Sequence, residues 1–539
     1  MSTVVIGGGI AGLASAALLA REGHQVTLLE AHDTLGGRAG IWQADGFSFD
    51  TGPSWYLMPQ VFEHFFRLFG TSAAEQLDLT RLDPGYRVYF EADRASGAGP
   101  VDVRADRSDN IRLFESLEPG AGAQLEKYLA SAEETYSLAV DRFLYTSFAS
   151  FGPLLTRDLL VRLGRLGRLL LQPLDRFVAG YFRDPRIRQI LGYPAVFLGS
   201  SPDRTPSMYH LMSHLDLADG VLYPQGGFSR LITSIADLAR AEGVTVETGA
   251  TVQAIRSAAP TGRRGRSAVQ GVTYTNAAGE TVRLDADIVV SAADLHHTET
   301  ELVEPAKQTY PERWWRRRTS GPGAVLVLLG VRGDLPRLAH HTLFFTTDWA
   351  ENFDRIFGRT TSVPNPASFY ACLPSATDPD VAPEGMSNLF LLIPVPADPG
   401  LGHGGVDGAG SATVEGIADA AIGQLADWAG IPDLAERITL RRTVGPADFA
   451  DDLNSWQGGA LGPAHTLKQS AFFRGRNVSK HIDGLYYAGG STIPGIGLPM
   501  CLISAEILLK RMRSDVSTGP LPEPRAAQPR PAQPKPARS

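Results

Sequence analysis

Cysteine is almost missing from this chain: two in 539 residues, Cys372 and Cys501, far apart in sequence. That excludes a disulfide framework and a cysteine-based zinc cluster, and it is compatible with a reducing cytoplasm. The H-E-x-x-H pattern, a Ser-His-Asp pattern and spaced histidine ligands are missing too. The adjacent pairs His296-His297 and His340-His341 would point apart on a strand or helix, so no metal is expected. An excess of positive charge is also absent. Fifty Lys and Arg against 58 Asp and Glu leave a net charge of −8, with no basic footprint for nucleic acid. No stretch reads as a clean membrane-spanning helix. No cation precedes the first apolar run, which meets its first at Arg21, so the N-terminus is not expected to act as a secretory signal. Internal repeats are lacking, and nothing fixes an oligomeric state.

Glycine is abundant, at 57 residues, and the first of them are concentrated in "VVIGGGIAGLASAALLAREGHQVTLLE". Val4-Val5-Ile6 reads as a buried parallel strand. Gly7, Gly9 and Gly12 then give G-x-G-x-x-G. Gly7 permits the tight turn, Gly9 a close approach of backbone to a pyrophosphate, and Gly12 close packing of helix on strand. Ile10 and Ala11 open a helix running to about Glu22, whose N-terminus presents free N–H groups and a partial positive charge. A second strand, 25–29, ends at Glu30, where an acid would bind ribose hydroxyls. Strand, helix, strand and acid in this order read as a dinucleotide grip of the doubly wound α/β class.

The length implies more than one domain. Nucleotide-type texture occupies 1–75, returns at 220–300 and closes the fold at 481–513. Gly226-Gly227 precedes a helix over about 228–242, and β-rich runs follow near 244–255. The segment 284–292 reads as a strand ending in small residues, and 485–488 as another before a helix over about 499–512. Between these parts lie 76–219, rich in Leu, Phe and Arg, and 301–480, with the buried-strand candidates "GAVLVLLGV" and "NLFLLIPVP". The Pro- and Ala-rich tail, 514–539, is expected to be disordered.

Further residues sharpen the picture. Gly36-Gly37-Arg38 and "DGFSFDTGPSW" follow the second strand, "YPQGGFSRL" lies mid-chain, and "GLYYAGGSTIPGIGLPMCLISAE" lies near the end. Together they resemble the bacterial and fungal-type phytoene desaturase family over roughly 1–513. The resemblance implies a discontinuous Rossmann-like FAD-binding domain (1–75, 220–300, 481–513). Into it a mixed α+β substrate and membrane-associating domain (76–219, 301–480) is inserted, as in flavin amine oxidases. It implies Arg38 near the phosphates and the turn Gly52, Pro53, Ser54 and Trp55 near the flavin. Val252 would reach the adenine region through its backbone. Gly489, Gly490 and Ser491 would approach the pyrophosphate and ribityl chain, and Gly495, Gly497, Leu498 and Met500 the flavin ring. Two departures stand out: Ile493 where many members carry His, and Ser491 where many related flavoproteins carry Asp or Glu.

The implied activity is FAD-dependent desaturation of a carotenoid, phytoene above others, by hydride loss to the flavin and loss of a vicinal proton. A quinone or oxygen would take the electrons. The sequence identifies no catalytic base; Asp50 is a motif residue whose role as a brace stays open. A carotenoid isomerase, a ketolase-like oxygenase, a desaturase acting elsewhere, an amine oxidase and a flavin-free prenyl-binding protein remain as alternatives. A water-insoluble substrate places the enzyme on the cytoplasmic face of the cell membrane, with 151–176 as the contact. There Arg157, Arg162, Arg165, Arg168 and Arg176 gather on one arc, and Leu159, Leu163, Leu166, Leu170 and Leu174 on the other. A helix packed on its own core fits that pattern equally, and Pro173 is expected to break it.

Overall fold

The computed structural model describes residues 1–94, 96–150, 152, 157–260 and 265–524, without the side chains of 158–160 and 163. Part of the 151–176 segment, and 525–539 of the tail, therefore lie outside the described residues.

Five strands form a fully parallel sheet, in the order Leu485–Tyr487, Ile288–Ser291, Ser2–Ile6, Gln25–Leu29, Thr245–Glu247. Three stretches of chain that are far apart in sequence thus build one sheet. Val4 pairs with both Thr27 and Val289, which explains the β-branched run: a central strand buried on both faces has no polar side. Helix Ile10–Arg21 packs against the closing helix Leu498–Met512 and against Phe228–Ala241. It is buried almost all round, from Ile10 to Ala20. Its apolarity is therefore that of a core helix.

The expected strand over 284–292 is two elements. Leu284 belongs to the hairpin strand Thr281–Asp285, and the chain then turns into Ile288–Ser291. The strands Thr251–Ser257, Ser267–Thr275 and Thr281–Asp285 pair antiparallel in a separate sheet, to which Ile482–Asp483 adds a parallel strand beside Ser267–Thr275.

A seven-stranded sheet carries the second half of the molecule. The two apolar runs become neighbours in it, Gly323–Arg332 antiparallel to Met386–Val395. His341–Phe345 pairs on one side with Phe369–Cys372 and on the other, in parallel, with Tyr86–Phe90. One face of this sheet meets helices from 121–197 and the other meets Ala412–Ala429.

The expectation of disorder from residue 514 is corrected for 514–524. Lys510 Nζ donates to the carbonyls of Tyr145, Ser517 and Gly519 at 2.9, 2.7 and 2.7 Å. Leu521 is buried, and its N–H donates to Glu506. One leucine and a few carbonyls suffice to dock a segment that could not fold alone.

Candidate functional site

The glycines of the first turn divide into two kinds. A Cβ on Gly12 would lie 1.9 Å from the Gly7 carbonyl oxygen, so that glycine is required by the packing of helix on strand. Gly7 itself has φ +98°, and its N–H donates to the Leu29 carbonyl. Gly9, in contrast, has φ −71°, and the nearest atom to a Cβ placed there is 3.8 Å away. Gly490 is alike, with neighbours at 3.8 Å. Neither backbone conformation nor protein packing explains these two glycines. They leave open space where a group outside the protein would come close.

The loops converge on that space. Gly36 N–H donates to Gly8, and Gly37 lies against Gly9. A Cβ on Gly489 would be 3.7 Å from Ala11 Cβ, so the last loop meets the first helix turn. Helices Ile10–Arg21 and Leu498–Met512 both start from a glycine, Gly9 and Gly497, with no side chain capping them. Their first N–H groups are free for an anion. Leu498 and Met500 lie in the first turn of the second of these helices. Glu30 is buried, and its carboxylate accepts the N–H groups of Gly8 at 2.5 Å and His32 at 2.9 Å. It holds the turn itself, with Val252 in the neighbouring core beside Leu29. Arg38 donates to the Ala460 carbonyl and to Ser455, and lies 3.9 Å from Asp294, whose Oδ2 is buried without a hydrogen bond. Open space at Gly9 and Gly490, two uncapped helix starts and a cation beside them fit a flavin dinucleotide.

Asp50 is a brace. It accepts the N–H groups of Phe228 and Ser229, at the start of the helix after Gly226-Gly227. Burial pushes its carboxyl up to about 7 against the pull of those two bonds.

From Gly52 onward the site changes character. Gly52 is pinned to Arg38, whose carbonyl would lie 2.0 Å from a Cβ. Past Pro53, Ser54 Oγ hydrogen-bonds Tyr370 OH at 2.7 Å, and Tyr370 OH bonds His341 Nδ1 at 2.7 Å. Trp55 stacks on His341 at 4.4 Å and packs on Tyr86 and Phe197, both at 5.4 Å. Gly199, two residues beyond Phe197, lies against Ile496. An aromatic wall thus abuts the 495–497 loop. Behind it Asp216, buried, accepts the hydroxyls of Tyr86 and Tyr193 at 3.2 and 3.0 Å; burial pushes it up to about 7.

The expectation that His340 and His341 point apart is corrected. Only His341 belongs to a strand, so strand alternation does not govern the pair, and the rings meet at 4.6 Å. With Cys372 they bring three ligand-type atoms within 4.8 Å of one another. Burial pushes the Cys372 thiol up to about 12, and the Nε2 atoms of His340 and His341 are buried without a hydrogen-bond partner. The Nδ1 atoms are engaged by Thr377 and Tyr370.

Two residues with no signal in the sequence complete the site. Arg474 is buried and donates to the carbonyls of Gly490, Pro463 and Gln469. Burial lowers it to about 10. It clamps the loop of Gly489, Gly490 and Ser491. His465, also buried, lies on Gly495: a Cβ there would be 2.2 Å from His465 Nε2. Ile493, where a histidine is common in the resembled family, is wholly buried.

The family described as "Flavin containing amine oxidoreductase" matches residues 10–507. A carotenoid 3,4-desaturase of Haloarcula japonica is 40% identical over 513 residues, 95% of this chain and 98% of its own length. A zeta-carotene-forming phytoene desaturase of Myxococcus xanthus is 34% identical over 514 residues, 94% of this chain and 93% of its own. Among solved structures, putrescine oxidase bound to putrescine shares the fold. Its TM-score is 0.57 at 15% identity, over 96% of this chain and 99% of that one.

Proposed function

We propose, on the premise that this chain belongs to the carotenoid desaturase family within the flavin-containing amine oxidoreductases, that it desaturates a carotenoid at the 3,4 bond. The enzyme is an FAD-dependent oxidoreductase acting on CH–CH groups, and its substrate is a carotenoid polyene. The observation that supports a polyene substrate is the aromatic wall of Trp55, Tyr86, Tyr193 and Phe197 beside the 495–497 loop. A hydrocarbon chain needs rings and alignment there, not polar handles.

Bound FAD would supply the hydride acceptor. The chain supplies the rest. Gly9 and Gly490 leave room for the dinucleotide, and the starts of helices Ile10–Arg21 and Leu498–Met512 face its phosphates. Arg38 adds charge and Arg474 fixes the loop. The aromatic wall excludes water from the reacting carbons and holds the polyene in line. Electrons leave to a quinone or to oxygen.

The 3,4 position rests on the relative at 40% identity. Phytoene, the expectation from the sequence, is the second reading, and the relative at 34% supports it. Purified enzyme in liposomes, offered lycopene and phytoene separately with a quinone, separates them. Loss of hydrogen pairs from lycopene with a red-shifted spectrum supports the first. Colour from phytoene alone supports the second, and no change in either overturns both.

We further propose a peripheral site on the cytoplasmic face of the membrane, with helix Arg157–Leu171 as the contact. Val161 and Leu171 are 80% and 75% exposed, whereas Arg162 and Arg165 ion-pair with Glu134 of the neighbouring helix. Two of the arginines thus dock the helix and apolar side chains face out. Pro173 separates it from Leu174–Ala179, where Leu174 is buried. Among the described residues no helix is long and apolar enough to cross a membrane.

A further inference from the structure

The first part of the tail docks on the body of the protein, and one imidazole stands at the far end of that contact. His64 lies on helix Pro59–Leu68, whose Phe62, Phe65 and Phe66 are buried. Its Nε2 is 3.2 Å from Glu506 of helix Leu498–Met512, and its Nδ1 is 3.0 Å from Glu523 of the tail. Glu506 is wholly buried and also accepts the N–H of Leu521, at 3.0 Å. Lys510, one turn further along the same helix, holds the carbonyls of Ser517 and Gly519. Pro520, Pro522 and Pro524 restrict the segment before it docks, so little freedom is lost when it does. Residues 514–524 thus form a strap against the closing helix, with Leu521 in the same core cluster as Phe62 and Phe65.

Two carboxylates on one imidazole fix its charge. An ionised carboxylate only accepts, and a neutral imidazole has a single N–H to give. Both contacts are made together only by the imidazolium, with a proton on each nitrogen. A neutral ring keeps its bond to Glu506 through Nε2–H, because buried Glu506 has no water to turn to. Nδ1 then directs a lone pair at Glu523, and attraction becomes repulsion. The Glu523 side chain is 39% exposed, so it has solvent to move into. The proton on His64 therefore governs Glu523 and, through it, the end of the strap.

The surrounding charges agree. Facing the ring are Glu506 and Lys510 of the closing helix, Glu523 of the strap, Glu63 and Arg67 of its own helix, and Tyr145, whose ring is 6.0 Å away. Asp515, at the start of the strap, acts on Lys510. Arg67 is engaged by Glu63 at 2.7 Å and stands 3.8 Å from Glu523, too far for a hydrogen bond, so it does not replace the imidazolium. Burial raises Tyr145, which stays neutral. Burial also pulls the His64 imidazolium down, but the bonds and charges of Glu506 and then Glu523 more than offset it, and His64 titrates above its ordinary value.

We propose that the proton on His64 is a latch for the C-terminal strap: while it is bound the strap is closed, and its loss frees the end that carries Glu523 and Leu521. The sign follows from linkage. A raised value means that the strapped form binds the proton more tightly than the open form does. The stability this gives the strap is full below the ordinary histidine value of 6.5 and is lost as pH rises through the raised one. Release starts at Glu523, which is repelled first. It then reaches the Leu521 N–H and the buried leucine side chain, while Lys510 still holds Ser517 and Gly519.

The test is amide hydrogen exchange of the full-length, FAD-loaded protein between pH 5.5 and 9, corrected for the intrinsic rate. Protection of the Leu521 and Glu523 amides should be flat below pH 6.5 and then fall, by about tenfold for each unit by which His64 is raised. Amides in the middle of helix Leu498–Met512 should keep theirs. ¹⁵N spectra should show both ring nitrogens of His64 protonated at pH 6.5. Glu523→Gln alters one partly exposed side chain and leaves the core untouched. Its amide accepts from an imidazolium and donates to a neutral Nδ1, so the strap should stay closed at every pH, and His64 should titrate lower than in the wild type. His64→Gln should also abolish the pH step. A wild-type His64 that titrates at or below 6.5 overturns the proposal. So does protection that stays flat in the wild type, or a fall of the same size in Glu523→Gln.

Discussion

What faces outward at the Gly7–Gly12 turn is backbone: the free N–H groups of a helix start and the bare Cα of Gly9. What stands at the wall around Trp55 is side chain: four or more rings, backed by a buried carboxylate. The turn is made of neighbours within about thirty residues. The wall draws on residues 55, 86, 193, 197, 341 and 370. Backbone recognition suits a cofactor shared by many enzymes, because it needs only spacing and glycine. Side-chain walls suit the substrate, because they can change while the turn stays.

The sharpest way to break the comparison lies within the turn. Gly12→Ala puts a Cβ 1.9 Å from a backbone oxygen, so helix and sheet must part, and soluble folded protein should be lost. Gly9→Ala meets nothing closer than 3.8 Å. Its apoprotein should melt within about 0.5 kcal/mol of wild type and yet carry little or no flavin. Melting curves of the apoproteins and flavin absorbance of the purified proteins check both. Equal behaviour of the two variants would mean that Gly9 is also a packing glycine.

Arg474→Met is the next largest effect. Met fills the volume but leaves the carbonyls of Gly490, Pro463 and Gln469 buried without a donor, a loss of about 2–4 kcal/mol. Flavin should dissociate faster, because Gly490 is released. Chemical unfolding with and without added FAD measures the two parts.

How legible the two regions are in sequence follows from the same contrast. Ile6 to Glu30 could be read from spacing alone, and the closing loop at 489–500 from glycines, because in each a few residues set the geometry. Asp50 could be located but not assigned, since its partners Phe228 and Ser229 lie far along the chain. His465 and Arg474 were invisible: a lone His and a lone Arg in "GPAHTLKQSAFFRGRN" carry no period or spacing. The pairing of His340 with His341 was misjudged because a strand boundary falls between them. The first part of the tail was misjudged because composition measures what a segment can bury by itself, not where it can dock.

Asp50→Asn addresses the link between the regions, since Asp50, at the end of strand Phe47–Asp50, joins the approach to the Gly52–Trp55 turn to the mid-chain helix. Its carboxyl titrates at about 7 in the folded protein against an ordinary value of 3.8. A raised value means that the folded state binds the proton more tightly. The stability this contributes is full below pH 3.8 and is lost as pH rises to about 7. Asn keeps one acceptor and no charge. The wild type should therefore lose stability relative to Asp50→Asn across that window, by at most about 4 kcal/mol for three pKa units. Melting temperatures of both proteins from pH 4 to 8 test the sign.

The smallest effect on the fold concerns the surface of the second region. Val161→Asp with Leu171→Asp alters two side chains that are mostly exposed and touch no core, so stability should change by less than about 0.5 kcal/mol. If these residues enter a lipid interface, each lost apolar side chain weakens binding and each added negative charge is repelled by anionic lipid. The double variant should then pellet with anionic vesicles several-fold less than wild type, while desaturating detergent-dispersed substrate at the wild-type rate. Arg162→Gln with Arg165→Gln gives the opposite pattern. Those arginines hold the helix to Glu134, so losing them should loosen the helix, seen as faster proteolysis near 157–171, before it changes the charge offered to lipid. If the arginine variant alone lost vesicle binding, with the helix still protected, the basic face would be the membrane face and the apolar residues bystanders.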